Sequence, residues 1–207
     1  MKTIKFFTIT IAFISLMACS DESNDLLPVL SITVEDLHAP QEGGMGQPVS
    51  GPFTKFDFET GMETNSETDW DIAFRATDII VNGGSTMGTT DEPARNGDGA
   101  AYIATGTMAD VTEVDVSLFR QDSENGYAIM SGSGNGWYTY TGPPTFLVVP
   151  TAGRILVFKT ADGKYAKVEI LSYYQGAPES PDAFVNQSRY YTFNYVYQPN
   201  IGETTFW

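Results

Sequence analysis

Hydrophobic and polar residues alternate along several short stretches of this chain. Phe56 and Phe58 fall on one face of such a stretch, and Lys55 and Asp57 fall on the other. Segment 70–74 alternates in the same way. A period of two residues is typical of a strand with one buried face, so both stretches predict β-strands.

The C-terminal third carries the clearest strand signals. Segments 154–159 and 164–174 flank the dipeptide Asp162-Gly163, which favours a tight hairpin turn. A further strand is predicted over 189–197, where aromatic residues occupy every second position. These aromatic residues are Tyr191, Phe193, Tyr195 and Tyr197.

Only segment 108–119 favours a helix. Asp110 is a candidate N-cap, and apolar side chains follow at helical spacing. They are Val111, Val114, Leu118 and Phe119. Elsewhere, short strands separated by Gly, Pro and Asn indicate an all-β fold, a multi-stranded antiparallel sheet structure with at most one or two short helices.

The N-terminus has the order of features that marks a secreted lipoprotein. Lys2 and Lys5 precede an apolar run that is too short to span a bilayer, and a small residue, Ala18, stands directly before Cys19. Segment 16–19 resembles a bacterial lipobox, which predicts a signal peptide over 1–18 and a lipid on Cys19. The alternative is a buried N-terminal strand with an ordinary core cysteine.

Two further regions follow the predicted signal. Residues 19–52 are rich in Pro and Gly and are expected to form a lipidated flexible tether, with one early strand at 29–34. Residues 53–207 are expected to form the β domain. The acidic run at 20–25 resembles the surface-export signal of Bacteroidota lipoproteins, so we expect an outer-membrane, lipid-anchored protein at the cell surface. A periplasmic tether is the alternative.

Charge and rare residues exclude several function classes. The 207 residues carry 26 Asp and Glu against 11 Lys and Arg, a formal net charge of −15, which disfavours nucleic acid as a partner. One cysteine permits no internal disulfide, and one histidine leaves little room for acid–base catalysis. That histidine, His38, is predicted to be a solvated tether residue. No nucleophile, phosphate-binding or paired-carboxylate pattern is recognisable, so no enzyme activity is predicted.

Methionines are the remaining candidates for chemistry. Met87 and Met130 stand beside glycine-rich segments, and Met108 lies in the middle third. A thioether on a loop can ligate a soft metal or haem iron. Packing in the core or in a loop is the alternative for each of them.

Several segments together resemble the HmuY family of haem-binding lipoproteins from Bacteroidota. The more specific ones are WDIAFR at 70–75 and TADGKYAK at 160–167. The others are 53–59, 82–84, 173–174 and RYYTFNY at 189–195. The resemblance spans about 53–197 and implies an all-β fold that closes on haem, without catalysis.

The resemblance also implies a ligand set and partners. Family members ligate haem iron with two histidines or two methionines. The single histidine of this chain, His38, lies outside the predicted β domain, so ligation by two histidines of one chain is impossible. Met130 is therefore the first candidate axial ligand, and Met87 and Met108 are the others. Tyr138, Tyr140 and Arg75 are weaker candidates for the haem pocket.

The family implies delivery of haem to a TonB-dependent outer-membrane receptor, with membrane contact through the N-terminal lipid alone. Methionine-only ligation would favour reduced iron. The alternative function is that of a family member that has lost haem ligation and serves as a non-haem binding or interaction lipoprotein at the surface.

Overall fold

The computed structural model describes residues 26–44 and 46–207. The predicted signal peptide and the lipidation site Cys19 lie outside the described residues. The described part contains these strands: β1 (Leu30–His38), β2 (Glu42–Gly44), β3 (Gln47–Ser50), β4 (Thr54–Asp57), β5 (Met62–Thr64), β6 (Ile72–Arg75), β7 (Asp78–Val81), β8 (Ala100–Thr105), β9 (Tyr138–Tyr140), β10 (Val148–Pro150), β11 (Arg154–Lys159), β12 (Tyr165–Tyr174) and β13 (Ser188–Gln198).

The larger sheet is antiparallel and has the order β1-β13-β12-β11-β8. The hairpin between β11 and β12 turns at Asp162-Gly163, where Gly163 has φ of 89°, a backbone angle that glycine adopts without strain. The alternate aromatic residues of β13 are all buried, as their spacing predicts. This sheet therefore presents one aromatic face to the core.

The smaller sheet has the order β5-β4-β6-β7 and packs against that aromatic face. Phe56 meets Phe193 edge-on with ring centroids 5.5 Å apart, and Phe74 lies 4.8 Å from Tyr191. Burial of large aromatic rings is the main source of stability in such a two-sheet core. The all-β prediction is confirmed.

The prediction of a flexible tether over 19–52 is wrong for most of the described residues in that range, although the early strand expected at 29–34 is present and continues to His38. Segment 30–38 is an edge strand of the larger sheet, and Leu30 lies opposite Tyr197. Its apolar side chains Ile32 and Val34 pack on the core, because the strand alternates despite its Pro- and Gly-rich surroundings. His38, although exposed, is thus a strand residue.

The helix prediction for 108–119 is also wrong in most of its length. Only Val116–Leu118 forms a helical turn, of the 3-10 type, with Asp115 accepting a hydrogen bond from the amide of Ser117. β-Branched residues resist a long helix, and Val111 and Val114 are instead buried in an extended segment. Within the described residues, no helix has the length and hydrophobicity needed to cross a bilayer.

Candidate functional site

The three candidate methionines lie in three different surroundings. Met130 is about half exposed and lines a groove, while Met87 is 40% exposed on the loop after β7. Met108 is half-buried against a small apolar cluster, and its carbonyl accepts a hydrogen bond from Lys167. No cavity recorded within the described residues is lined by two of them. The structure does not pair two methionines around a common centre.

The groove beside Met130 has a volume of about 340 Å³, which falls in the range of small-molecule sites. We call it the Met130 groove. One wall is the outer edge of β8, and the other combines the 3-10 turn with segment 128–135. Its lining residues are Ala101, Tyr102, Ile103, Thr105, Leu118, Arg120, Ala128, Met130, Asn135 and Arg154. Apolar side chains therefore face a thioether across a partly open channel.

The electrostatics of the Met130 groove are cationic. Arg120 is exposed, and its guanidinium has no ion pair or hydrogen bond to the part of the chain that the structure describes. Arg154 is engaged, because it donates to the carbonyls of Gly134 and Gly136. No carboxylate lines the groove among the described residues. In a chain of net charge −15, this is a place where an anionic ligand is not repelled locally.

The Met87 loop, residues 83–99, is held by a buried ion cluster. Arg95 donates to Glu92 at 2.7 Å and to Asp122 at 2.9 Å, and all three side chains are almost fully buried. Glu92 also accepts from the amide of Met87 at 3.1 Å. Asp122 accepts from the amides of Val81 and Ala128. The loop that carries Met87 is thus fastened to the body of the domain.

Arg75 makes buried hydrogen bonds near the same loop. Its side chain is buried, and it donates to the carbonyls of Gly51 and Thr90 and to the hydroxyl of Thr89. The guanidinium also lies 4.2 Å from the ring centre of Phe53. Arg75 lines none of the cavities described, so the interpretation of Arg75 as a haem-pocket residue finds no support in this geometry.

The two candidate tyrosines differ in exposure. Tyr138 is buried, with its ring 5.0 Å from Trp137, which is the packing role weighed as the alternative to ligation. Tyr140 is 46% exposed, and its amide donates to Ser133 Oγ at 2.8 Å. Neither tyrosine lines the Met130 groove.

A second cavity, of about 360 Å³, has the opposite charge. Its lining includes Asp57, Glu59, Asp69, Asp71 and Asp162. Asp71 accepts from the amides of Phe58 and Ala161, yet burial raises the pKa of its carboxyl to about 7. An anionic ligand is disfavoured here. Within the described residues, no cluster of three or more His, Cys, Asp or Glu is arranged to hold a metal ion.

Sequence reasoning found Met130 but missed the groove around it. Leu118 lay within the segment 108–119 that was predicted to be helical, Arg120 directly followed that segment, and Arg154 stood at the start of a predicted strand. The edge position of β8 depends on long-range strand pairing, which no local pattern records. The one available signal was the β-branched content of 108–119, which argues against burying Leu118 on a helix.

These features describe an all-β binding domain whose groove combines apolar walls, a thioether and cationic side chains. The profile of the HmuY protein family matches residues 52–195, well over half of the chain. The chain belongs to the HmuY family, as its sequence resemblance predicted. Among curated proteins, none matches the chain.

One solved structure agrees with this assignment at the level of the fold. An apo HmuY analogue from Tannerella forsythia aligns with a TM-score of 0.51 at 16% identity, covering 86% of this chain and all of that one. Two others align less well. They are a candidate lipoprotein from Bacteroides fragilis (TM-score 0.48, 13% identity, 87% and 95% covered) and a candidate HmuY-like haem-binding protein from Bacteroides vulgatus (0.40, 16%, 84% and 93%).

Proposed function

We propose that this protein captures haem as a lipid-anchored protein of the outer membrane, with Met130 as an axial ligand. Membership of the HmuY family supports a binding role. The observation that carries the proposal is the Met130 groove, where a half-exposed thioether stands between apolar walls and the unengaged guanidinium of Arg120. Haem is an apolar disc with two carboxylates, so it needs these groups together.

The residues of the groove fit haem in three respects. The thioether of Met130 is a soft ligand suited to haem iron, and it would hold the reduced state better. Leu118 and Ile103 offer apolar surface to the macrocycle, and Arg120 would meet a propionate in a charge-assisted pair. When bound, haem supplies the iron centre, and the protein supplies its capture and orientation.

The acidic cavity is a poorer site for haem than the Met130 groove. Its carboxylates would repel the propionates, and it offers no thioether. Met87 and Met108 serve less well as ligands, because the first is tied to a fastened loop and the second is half-buried in a small cluster. Delivery of haem to a TonB-dependent receptor, anchoring through Cys19 and exposure at the cell surface remain parts of the proposal that rest on resemblance.

The test is a haemin titration of residues 20–207, without the predicted signal peptide and Cys19, in the presence and absence of dithionite. A sharp Soret band is expected, with tighter binding in the reduced state. Met130→Ala should weaken haemin binding at least tenfold, about 1.4 kcal/mol, while the matched variant Met87→Ala leaves it unchanged.

Two results would decide against this proposal. Absence of any spectral change in both redox states would favour the second candidate, a non-haem binding or interaction lipoprotein. Equal loss of affinity in Met87→Ala and Met130→Ala would remove Met130 from its role as the specific ligand. The second candidate gains support because Met130 is the only methionine among the described residues that line the groove.

A further inference from the structure

The outer edge of β8 has backbone N–H and C=O groups that form no hydrogen bond with another strand. Ala101 exchanges two backbone hydrogen bonds with Arg120, so its N–H and C=O point away from β11. Direction alternates along a strand, and therefore the N–H and C=O of Ile103 and Thr105 point the same way. No backbone or side-chain partner for these four groups exists among residues 26–44 and 46–207. The edge is therefore open at Ile103 and Thr105, next to the bridge between Ala101 and Arg120.

The other edge of the larger sheet is protected. The pairing of β1 shifts register between Val34 and Leu37, and Asp36 in that bulge has φ of 55°. A bulge and exposed charge such as Glu35 are means by which natural edge strands avoid further pairing. β8 pairs with β11 without any register shift. The two edges thus differ in their readiness to accept another strand.

We propose that the outer edge of β8 accepts an extended peptide segment of a partner protein as an additional strand. The backbone of Ile103 and Thr105 would supply the hydrogen bonds, and Leu118, Ala128 and Met130 would hold alternate apolar side chains. This inference goes beyond haem capture and does not depend on it.

The charge of the groove specifies the partner further. Arg120 is exposed without an ionic partner in the described chain, and no described carboxylate lines the groove. The matching segment is extended and apolar at alternate positions, and it carries a carboxylate that reaches Arg120. The opposite wall of the groove, formed by the 3-10 turn and segment 128–135, favours a single strand over the broad edge of a second folded copy.

Amide hydrogen exchange on residues 20–207 tests this directly. The probe is the acetylated and amidated hexapeptide TVDVTV, and a fully N-methylated version serves as a control without donors. In the free protein, the amides of Ile103 and Thr105 should exchange fast, while that of Ala104, which faces β11, stays protected. Saturating probe should slow exchange at Ile103 and Thr105 at least tenfold, and the N-methylated peptide should not.

A pair of variants gives an independent measurement. Ile103→Pro removes one outward N–H at an edge position where proline is tolerated, and it should lower affinity for the probe at least tenfold. Ile103→Val keeps the N–H and should bind normally. Protection of Ile103 in the free protein, protection that grows with protein concentration alone, or no response to the probe would each overturn the proposal. The exchange measurement stands even if Ile103→Pro fails to fold.

The shared use of Met130 adds one consequence, which rests on the proposed function. Haem and the peptide should compete for the groove, so saturating haemin should raise the apparent Kd of the probe at least tenfold. If haemin does not bind, that expectation fails while the exchange result remains valid. If both bind without competition, the peptide does not occupy the Met130 side of the groove, and the proposed strand position is wrong.

Discussion

Two glycine-rich loops carry candidate methionines, and the structure treats them in opposite ways. The Met87 loop is fastened by the buried cluster of Glu92, Arg95 and Asp122. The segment after Met130 borders an open groove where Arg120 is exposed and unengaged. In the sequence the two loops look alike. The comparison shows that the partners of nearby charged groups, and not glycine content, separate a fastened loop from a segment that borders an open groove.

The physical reason lies in the cost of burying charge. A guanidinium or carboxylate removed from water is tolerated only when partners satisfy it, and Arg95 has two carboxylates within 2.9 Å. Arg120 remains hydrated, so it keeps its capacity to pair with an incoming anion. The charges of the buried cluster are therefore already paired, whereas the charge that we propose to meet a haem propionate is left free.

The largest effect is expected from breaking the buried cluster. Asp122→Ala would leave Arg95 with one carboxylate and would remove the acceptor for two backbone amides. We expect a loss of about 3–5 kcal/mol in the free energy of unfolding, measured by urea denaturation. The control Asp98→Ala breaks a more exposed pair with Lys159 and should cost less than about 1 kcal/mol. Equal losses in both variants would contradict the structural role of the cluster.

The next largest effect is a dependence of stability on pH, and it concerns Asp71 in the acidic cavity. Asp71 has no cation partner among the described residues, and burial raises the pKa of its carboxyl to about 7 in the folded state. The unfolded value is near 3.8, so between these pH values the folded chain binds a proton that the unfolded chain does not. The contribution of Asp71 to stability is therefore complete below pH of about 4 and is lost as the pH rises through about 7.

The matching variant is Asp71→Asn, which cannot titrate. Thermal unfolding between pH 4 and 8 should show the wild type losing stability as the pH rises from about 4 to about 7, with a weaker slope in the variant. An identical slope in both proteins would show that other groups dominate this range.

A smaller effect on stability and haemin affinity is expected when the charge of Arg120 in the Met130 groove is removed. Arg120→Gln removes a cation without a partner in the described chain, so stability should change by less than about 0.5 kcal/mol. Haemin affinity should fall a few-fold, less than 1 kcal/mol, and the difference from wild type should shrink at high salt. Isothermal titration with haemin at two salt concentrations measures the affinity and its dependence on salt, and urea denaturation measures the stability. Lys159→Gln, outside the groove, is the control and should leave haemin affinity unchanged.

The smallest effect is expected for Met87→Ala. The side chain is 40% exposed and packs little, so we expect a change below about 0.5 kcal/mol in unfolding and no change in haemin binding. A clear loss of haemin affinity would reverse the comparison between the two loops and make the fastened loop the ligand-bearing one.

Local pattern predicted the elements of the fold well where alternation was strong. The aromatic face of β13, the hairpin at Asp162-Gly163 and the Phe56 strand were all placed correctly. The predictions failed where the Pro and Gly content of a segment was taken as evidence of an irregular conformation. Segment 30–38 was predicted to be a strand only as far as residue 34 and to belong to a tether, because prolines and glycines surround it, yet the whole segment pairs with β13 about 160 residues later.

The sequence by itself determined the class of the protein, because side-chain periodicity and turn dipeptides are local properties that fix strands and their buried faces. It also determined the shortage of histidine that directs attention to methionine. Only the tertiary structure decided which methionine stands in a groove, which arginines are already engaged, and which sheet edge is open. Those properties arise from contacts between residues far apart in the chain, and local spacing carries no record of them.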